Sequence, residues 1–205
     1  MKDQEKDISM DEKVLGRVAN TAFYMQYKKI NGISFVESLR PNQIICKKWL
    51  VEEICNIKMK WNKVLVLGSW NSVLLYELFS TYGEVIWFDF VDIDETVHKH
   101  RDLYFEINSI EKNYNSIIMD ATEFSDHQSY DLIINTSCEH MATIPAVYGP
   151  TYALQSNNYT DVSDHINCVN SEEQLMKDNQ INRIFYKGKK KMSNYDRFMV
   201  IGYYN

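Results

Sequence analysis

Apolar residues recur at two different periods along this chain, and the change falls near residue 60. Before it the spacing is helical. Val14, Leu15, Val18, Ala22, Tyr24 and Met25 predict a helix within residues 10–29. A short helical segment is expected over 34–39 and a longer one over 42–57. There Ile44, Ile45, Trp49, Leu50, Ile54 and Ile57 share an apolar face, and Pro41 stands where a helix can begin. After residue 60, short branched runs alternate with amphipathic segments. Strands are expected over 63–67, 85–92, 116–119, 130–135 and 152–156. Helices are expected over 72–82, with Gly83 as its stop, and over 95–105. Ser171, with Gln174 three residues on, reads as the N-cap of a helix reaching Asn179. Two last strand-like runs, 183–186 and 197–203, flank a Gly- and Lys-rich turn and suit an antiparallel pair.

Alternating strand and helix predicts an α/β fold, a mostly parallel sheet with right-handed crossovers. The C-terminal antiparallel hairpin would make the sheet mixed, with helices on both faces. Residues 1–60 then form an N-terminal helical extension, and residues 61–205 one cofactor-binding domain.

Composition narrows the choice. With 205 residues, 45% of them hydrophobic, the chain can bury a sizeable core. The net charge of −6 argues against a broad phosphate-binding surface, so nucleic acid is not an expected partner. The basic run Lys187-Gly188-Lys189-Lys190-Lys191 is expected to be a solvated turn. The four cysteines form no C-x-x-C pair, which fits free thiols in a reducing compartment. No apolar run approaches the ~18 residues of a membrane span. The charged first seven residues do not resemble a signal peptide. A cytoplasmic protein without a membrane partner is the expectation.

Candidate chemistry gathers at strand ends. The run Val64-Leu65-Val66-Leu67 stops at Gly68, and Ser69, Trp70, Asn71 and Ser72 follow before the next helix. Gly68 lets the backbone approach a ligand, and the first amides of the helix can bind an acidic or hydroxyl group. Trp70 either roofs a ligand or packs on the preceding helices. The second strand ends in Val91-Asp92-Ile93-Asp94, where a carboxylate suits ribose hydroxyls. Asp92 fits by context, and Asp89 by its distance from Gly68. The third strand leads to Asp120-Ala121, and the fourth to Asn135-Thr136-Ser137-Cys138-Glu139-His140. Four successive strands thus deliver polar groups to one edge.

That ordered series resembles the class I S-adenosylmethionine-dependent methyltransferases, over roughly residues 60–205. Chains of this look are common among bacteriophage and bacterial methyltransferase-like proteins. The resemblance implies a Rossmann-like methyltransferase fold and S-adenosyl-L-methionine as cofactor, with S-adenosyl-L-homocysteine as product. It implies that Gly68, Ser69, Trp70 and Asn71 line the methionine part of the cofactor. Asp92 with Ile93 would hold the ribose, and Asp120 with Ala121 would flank the adenine. Asn135 and Thr136 would face the reaction centre. The chain departs from the family pattern at Val66, where an acid is usual, and at Trp70 and Ser72, where glycines are usual. The segment 137–151 is short for a crossover helix.

Around the acceptor, Asn135, Glu139 and His140 are the candidate catalytic residues, and Asn157, Tyr159 and His165 the candidate substrate-binding ones. His140 and His165 can act as general bases near neutral pH, with Glu139 orienting one of them. No metal is expected, because His140, His165, Glu139 and Asp164 include no i, i+4 histidine pair. Asn135 is not followed by the Pro-Pro-aromatic run of amino-group methyltransferases, which argues against nucleic-acid bases as acceptors. The acceptor is therefore expected to be a small molecule or a protein. The competing readings are a methyltransferase-fold binding protein without catalysis and an aminopropyl-type transferase. The sequence does not set the oligomeric state.

Overall fold

The structure is a computed structural model and describes residues 12–82 and 85–205. Three helices come first: α1 (Glu12–Tyr27), α2 (Ile33–Glu37) and α3 (Pro41–Asn56). The expected start of the first helix at residue 10 and the stop at Gly83 lie outside the described residues. Then come β1 (Trp61–Leu67), α4 (Val73–Tyr82), β2 (Val85–Asp92), α5 (Glu95–Ile107), β3 (Tyr114–Ile118) and β4 (Leu132–Asn135). The chain ends with β5 (Thr151–Asn157), α6 (Glu172–Asp178), β6 (Arg183–Lys191) and β7 (Asp196–Tyr203). The seven strands form one sheet in the order β3-β2-β1-β4-β5-β7-β6. The first five are parallel, and β7 pairs antiparallel with both β5 and β6. This is the mixed sheet that the hydrophobic pattern predicted.

The helices are shared unequally between the two faces. Val64 and Val66 of β1 bury against a cluster drawn from α3, α4 and α5, together with Phe35 and Met25. Leu65 and Leu67 alternate to the opposite face, where Leu175 of α6 and loop residues such as Ala121, Tyr130 and Ala146 cover them. The right-handed crossovers of α4 and α5 step the chain the same way across the sheet, so both land on one face. The return from β3 to β4 lies on the other face and holds only 3₁₀ turns, at Ala121–Glu123 and His127–Ser129. The link from β4 to β5 likewise contains no α-helix, only a turn at Cys138–His140.

One expectation is corrected. The basic run 187–191 is not a turn but the second half of β6, and the reversal falls at 192–195 instead. β6 is the sheet edge, with alternating exposure, and lysines on an edge strand discourage pairing with another chain. Lys187 and Lys189 meet Glu173 and Asp196, and Lys190 lies over the Trp49 ring.

The first three helices are tied to the sheet layer. Arg17 pairs with Glu77 of α4, and Asn108 donates to Thr21 at 3.0 Å. Gln155 of β5 donates to the Cys46 carbonyl at 3.0 Å. No helix among the described residues is long and apolar enough to cross a membrane.

Candidate functional site

In this strand order the chain turns one way from β1 to β2 and β3, and the other way to β4 and β5. Gly68, just after β1, and Asn135, the end of β4, flank that switch point, and Leu67 pairs with Asn135 in register. A cavity of about 720 Å³ opens at this carboxyl edge. Gly68, Trp70, Asp92, Ile93, Asp120 and Ala121 line one end. Thr136, Ser137, Glu139, His140 and Met141 line the other, with Asp164 and Ile166. Its size is that of a site for a drug-sized ligand.

The turn after β1 keeps an unusual backbone. Gly68, Trp70 and Ser72 all have left-handed torsions, with φ of 57°, 51° and 49°. For the last two this is strained, since a Cβ disfavours that region. Distant groups hold the turn. Asp92 accepts from the Trp70 amide at 2.7 Å. Trp70 Nε1 donates to Ser34 Oγ at 2.6 Å, and Asn71 Nδ2 to Ser38 Oγ at 2.7 Å. Trp70 therefore both packs on α2 and lines the cavity. Arg101, fully buried, donates to the Trp70 carbonyl at 3.3 Å and stacks on Phe90. Burial lowers its pKa to about 10. At Gly68 the left-handed φ favours glycine, and a Cβ there would have to displace the tip of the Met141 side chain. Ser69 and Asn71 are buried within the turn and do not line the cavity.

The two candidate ribose ligands separate clearly. Asp89 is buried, accepts from Tyr130 OH at 2.6 Å and from Trp87 Nε1 at 2.9 Å, and does not line the cavity. Asp92 does line it. Each Asp92 oxygen accepts one backbone amide, Trp70 and Asp94, which leaves further acceptor capacity. Asp120 caps its 3₁₀ turn, and the bonds from the Thr122 hydroxyl and amide hold its pKa below the usual value.

At the other end, Glu139 is 3% exposed. Its Oε1 accepts from Asn157 Nδ2 at 2.7 Å and from Arg197 of β7, and its Oε2 has no partner. Burial opposes the Arg197 charge, but the field of Glu139 outweighs it and raises the Arg197 pKa. Arg197 also donates to the Thr136 carbonyl. Asn135 is buried and holds the loop: its Oδ1 accepts from the Ser137 amide at 2.8 Å. Asn157 is likewise buried behind Glu139, and its Oδ1 accepts from the Tyr159 amide. Tyr159 and His165 stand edge to face, 6.1 Å apart, in the β5–α6 loop, and neither they nor Asn157 line the cavity, which that loop reaches through Asp164 and Ile166.

Two cavity-lining residues had no sequence signal as site residues, and a third contributor, behind the lining, had little. Glu37 of α2 and Gln43 of α3 line the cavity, although their helices precede the sheet. Arg197 had one faint signal, a cation opening an otherwise apolar strand. Lys47 lies behind Gln43, donating to its Oε1 at 2.8 Å.

The switch-point cavity and the C-terminal antiparallel strands together define a Rossmann-like fold of the class I methyltransferase type. Solved structures agree. The N-methyltransferase NodS from Bradyrhizobium japonicum WM9 superposes with a TM-score of 0.59 at 9% identity, covering 80% of this chain and 97% of NodS. Its complex with S-adenosyl-L-homocysteine gives 0.60 over 79% and 87%, again at 9% identity. YcgJ from Bacillus subtilis gives 0.56 at 11% identity over 76% and 98%. Compared with protein-family models and with curated proteins, the chain matches none.

Proposed function

We propose that this chain is an S-adenosylmethionine-dependent methyltransferase acting on a small-molecule or protein acceptor that is neutral or cationic. The observation that carries the reading is the single cavity reaching from Asp92 and Asp120 to Thr136, Glu139 and His140. Adenosine would lie at the first end, with Asp92 accepting from ribose hydroxyls and Asp120 and Ala121 beside the base. When bound, S-adenosylmethionine supplies a methyl group on a positive sulfonium. The acceptor would face Thr136, Glu139 and His140, under the loop that carries Tyr159 and His165. The residues' main task there is to hold the nucleophile in line with the methyl carbon and keep water out.

Charge supports this choice of acceptor. Among the described residues Glu37, Asp92, Asp120, Glu139 and Asp164 line the cavity, and no Lys or Arg does. Such a wall favours a sulfonium and disfavours phosphate-rich substrates. Residues 1–60 would be an extension, of which Glu37 and Gln43 form part of the cavity wall, and the domain proper would run from residue 61. Calorimetry with S-adenosyl-L-homocysteine tests the reading. Saturable binding with one equivalent per chain is expected, and no heat at millimolar ligand would remove it.

A further inference from the structure

Glu139, His140 and His165 each offer one ligand atom, and these atoms all lie within 4.8 Å of one another. The sequence spacing gave no reason to expect this. The β5–α6 loop folds back over the turn after β4, with the Asn167 amide donating to the Glu139 carbonyl at 3.0 Å. We propose that these three side chains form a binding site for one divalent transition-metal ion at the cavity wall, where Glu139 and His140 line it.

Two further observations point to a ligand. The first is Glu139 Oε2, a carboxylate oxygen on a 3% exposed residue that lines the cavity and has no hydrogen-bond partner. Its twin, Oε1, is held by Asn157 and Arg197 and lies 4.0 Å from His140 Nε2, so the carboxylate reaches the imidazole through either oxygen. A buried acceptor left bare is costly unless something fills it. The second is the setting of the two imidazoles. His140 Nδ1 meets Asp164 Oδ2 at 3.1 Å, and His165 Nδ1 meets the Tyr159 carbonyl. Each bond places the ring proton on Nδ1 and leaves Nε2 with its lone pair, as in metal-binding histidines whose other nitrogen donates to a carboxylate or carbonyl. The rings stand at 86° with centroids 4.5 Å apart.

The geometry needs a modest closure. Around an ion with bonds of about 2.0–2.2 Å, tetrahedral ligand atoms sit about 3.3–3.6 Å apart, so the widest separation must shrink by about 1–1.5 Å. Side-chain rotations of His140, which is exposed, and His165, which is half-buried, accomplish this. Two imidazoles with one carboxylate suit zinc, iron or manganese. The Cys168 thiol is turned to the Tyr159 carbonyl at 3.3 Å and stays out of the set. Three protein ligands leave positions open to the cavity. That an acceptor oxygen or nitrogen takes one of them rests on the methyltransferase reading; the binding of the ion does not. His140 and His165 are then ligands, in place of the general bases expected from their residue type.

The test is calorimetry of the full chain with Zn²⁺ and, separately, Mn²⁺. One equivalent is expected to bind. His165→Ala should weaken binding by more than tenfold, and Asp164→Asn by about 10–100-fold as a second-shell loss. Thermal melts of each variant establish that it folds, and added metal should raise the wild-type Tm but not that of His165→Ala. No saturable uptake by the wild type overturns the proposal. So does uptake unchanged in His165→Ala and His140→Ala, which would place the ion on thiols or surface groups. Titrating the same samples with S-adenosyl-L-homocysteine separates the two readings. Homocysteine product bound without metal removes only the metal site, and metal bound without the product removes only the methyltransferase.

Discussion

Replacing Lys47 by Met should make this protein more stable at neutral pH. Lys47 is only 6% exposed, on the inner side of α3. Burial, with repulsion from Arg197 added, lowers its pKa from 10.5 to about 8. A drop of that size corresponds to about 3 kcal/mol of disfavour for the charged form on folding. Below pH 8 both folded and unfolded chains carry the proton, and the full penalty applies. Between about pH 8 and 10.5 the unfolded chain holds a proton that the folded chain has lost, so stability rises with pH across that window. Methionine keeps the apolar stem and removes the charge, at the loss of the bond to Gln43, worth about 1 kcal/mol. Gln43 is half-buried at the cavity wall, where water can replace the ammonium. The expected net gain is about 2 kcal/mol at pH 7, and it should vanish near pH 10. Urea unfolding of both proteins at the two pH values, followed by tryptophan fluorescence, measures it. A variant less stable than wild type at pH 7, or a difference that does not change with pH, would refute the reasoning.

Four more outcomes follow from the turn, its braces and the second strand. Ser72→Gly relieves a left-handed torsion that disfavours a side chain by about 1–2 kcal/mol but loses the hydroxyl bond to the Ser69 carbonyl. A gain of up to about 1 kcal/mol is expected by urea unfolding. Asp92→Asn should weaken S-adenosyl-L-homocysteine binding by about tenfold or more in calorimetry, roughly one charged hydrogen bond. Asp89→Asn should leave that affinity unchanged and instead reduce stability by about 1–2 kcal/mol through Tyr130, Trp87 and Lys63. Arg101→Met should change stability little, because the charge it removes is disfavoured by burial, yet weaken the same ligand several-fold by unbracing the Trp70 turn. Equal affinity in wild type and variant would show that the turn holds without it.

The strand series was legible because β1, β2 and β4 are nearly continuous apolar runs, the mark of strands buried on both faces. Boundaries of the first five strands moved by no more than two residues, whereas β6 runs five residues beyond its expected end. The basic run was misread because glycine and lysine suit turns, whereas an exposed edge strand tolerates both for a different reason. At the site, Gly68, Asp92, Asp120 and Thr136 were readable from their place just after strands. Asn135, Ser69 and Asn71 were equally readable in position, but the structure spends their side chains on the loops that carry the cavity wall. Glu139 was visible only as a residue type. What gives it chemistry is Arg197, fifty-eight positions away, and a loop fold-back that no local pattern encodes.

The altered glycine turn makes the same point about where information sits. In the family pattern glycines make left-handed torsions cheap, and the turn is specified locally. Here Trp70 and Ser72 adopt those torsions with side chains in place. The conformation is held instead by Asp92 from β2, Ser34 and Ser38 from α2, and Arg101 from α5, all more than twenty residues from the turn. The specification has moved from residue type to tertiary contact. It follows that α2 and its C-cap are part of the support of the turn after β1, since two of the four braces, Ser34 and Ser38, come from them, and not a separate attachment. The loss of a sequence motif at Trp70 and Ser72 is therefore not the loss of the backbone shape that the motif encodes.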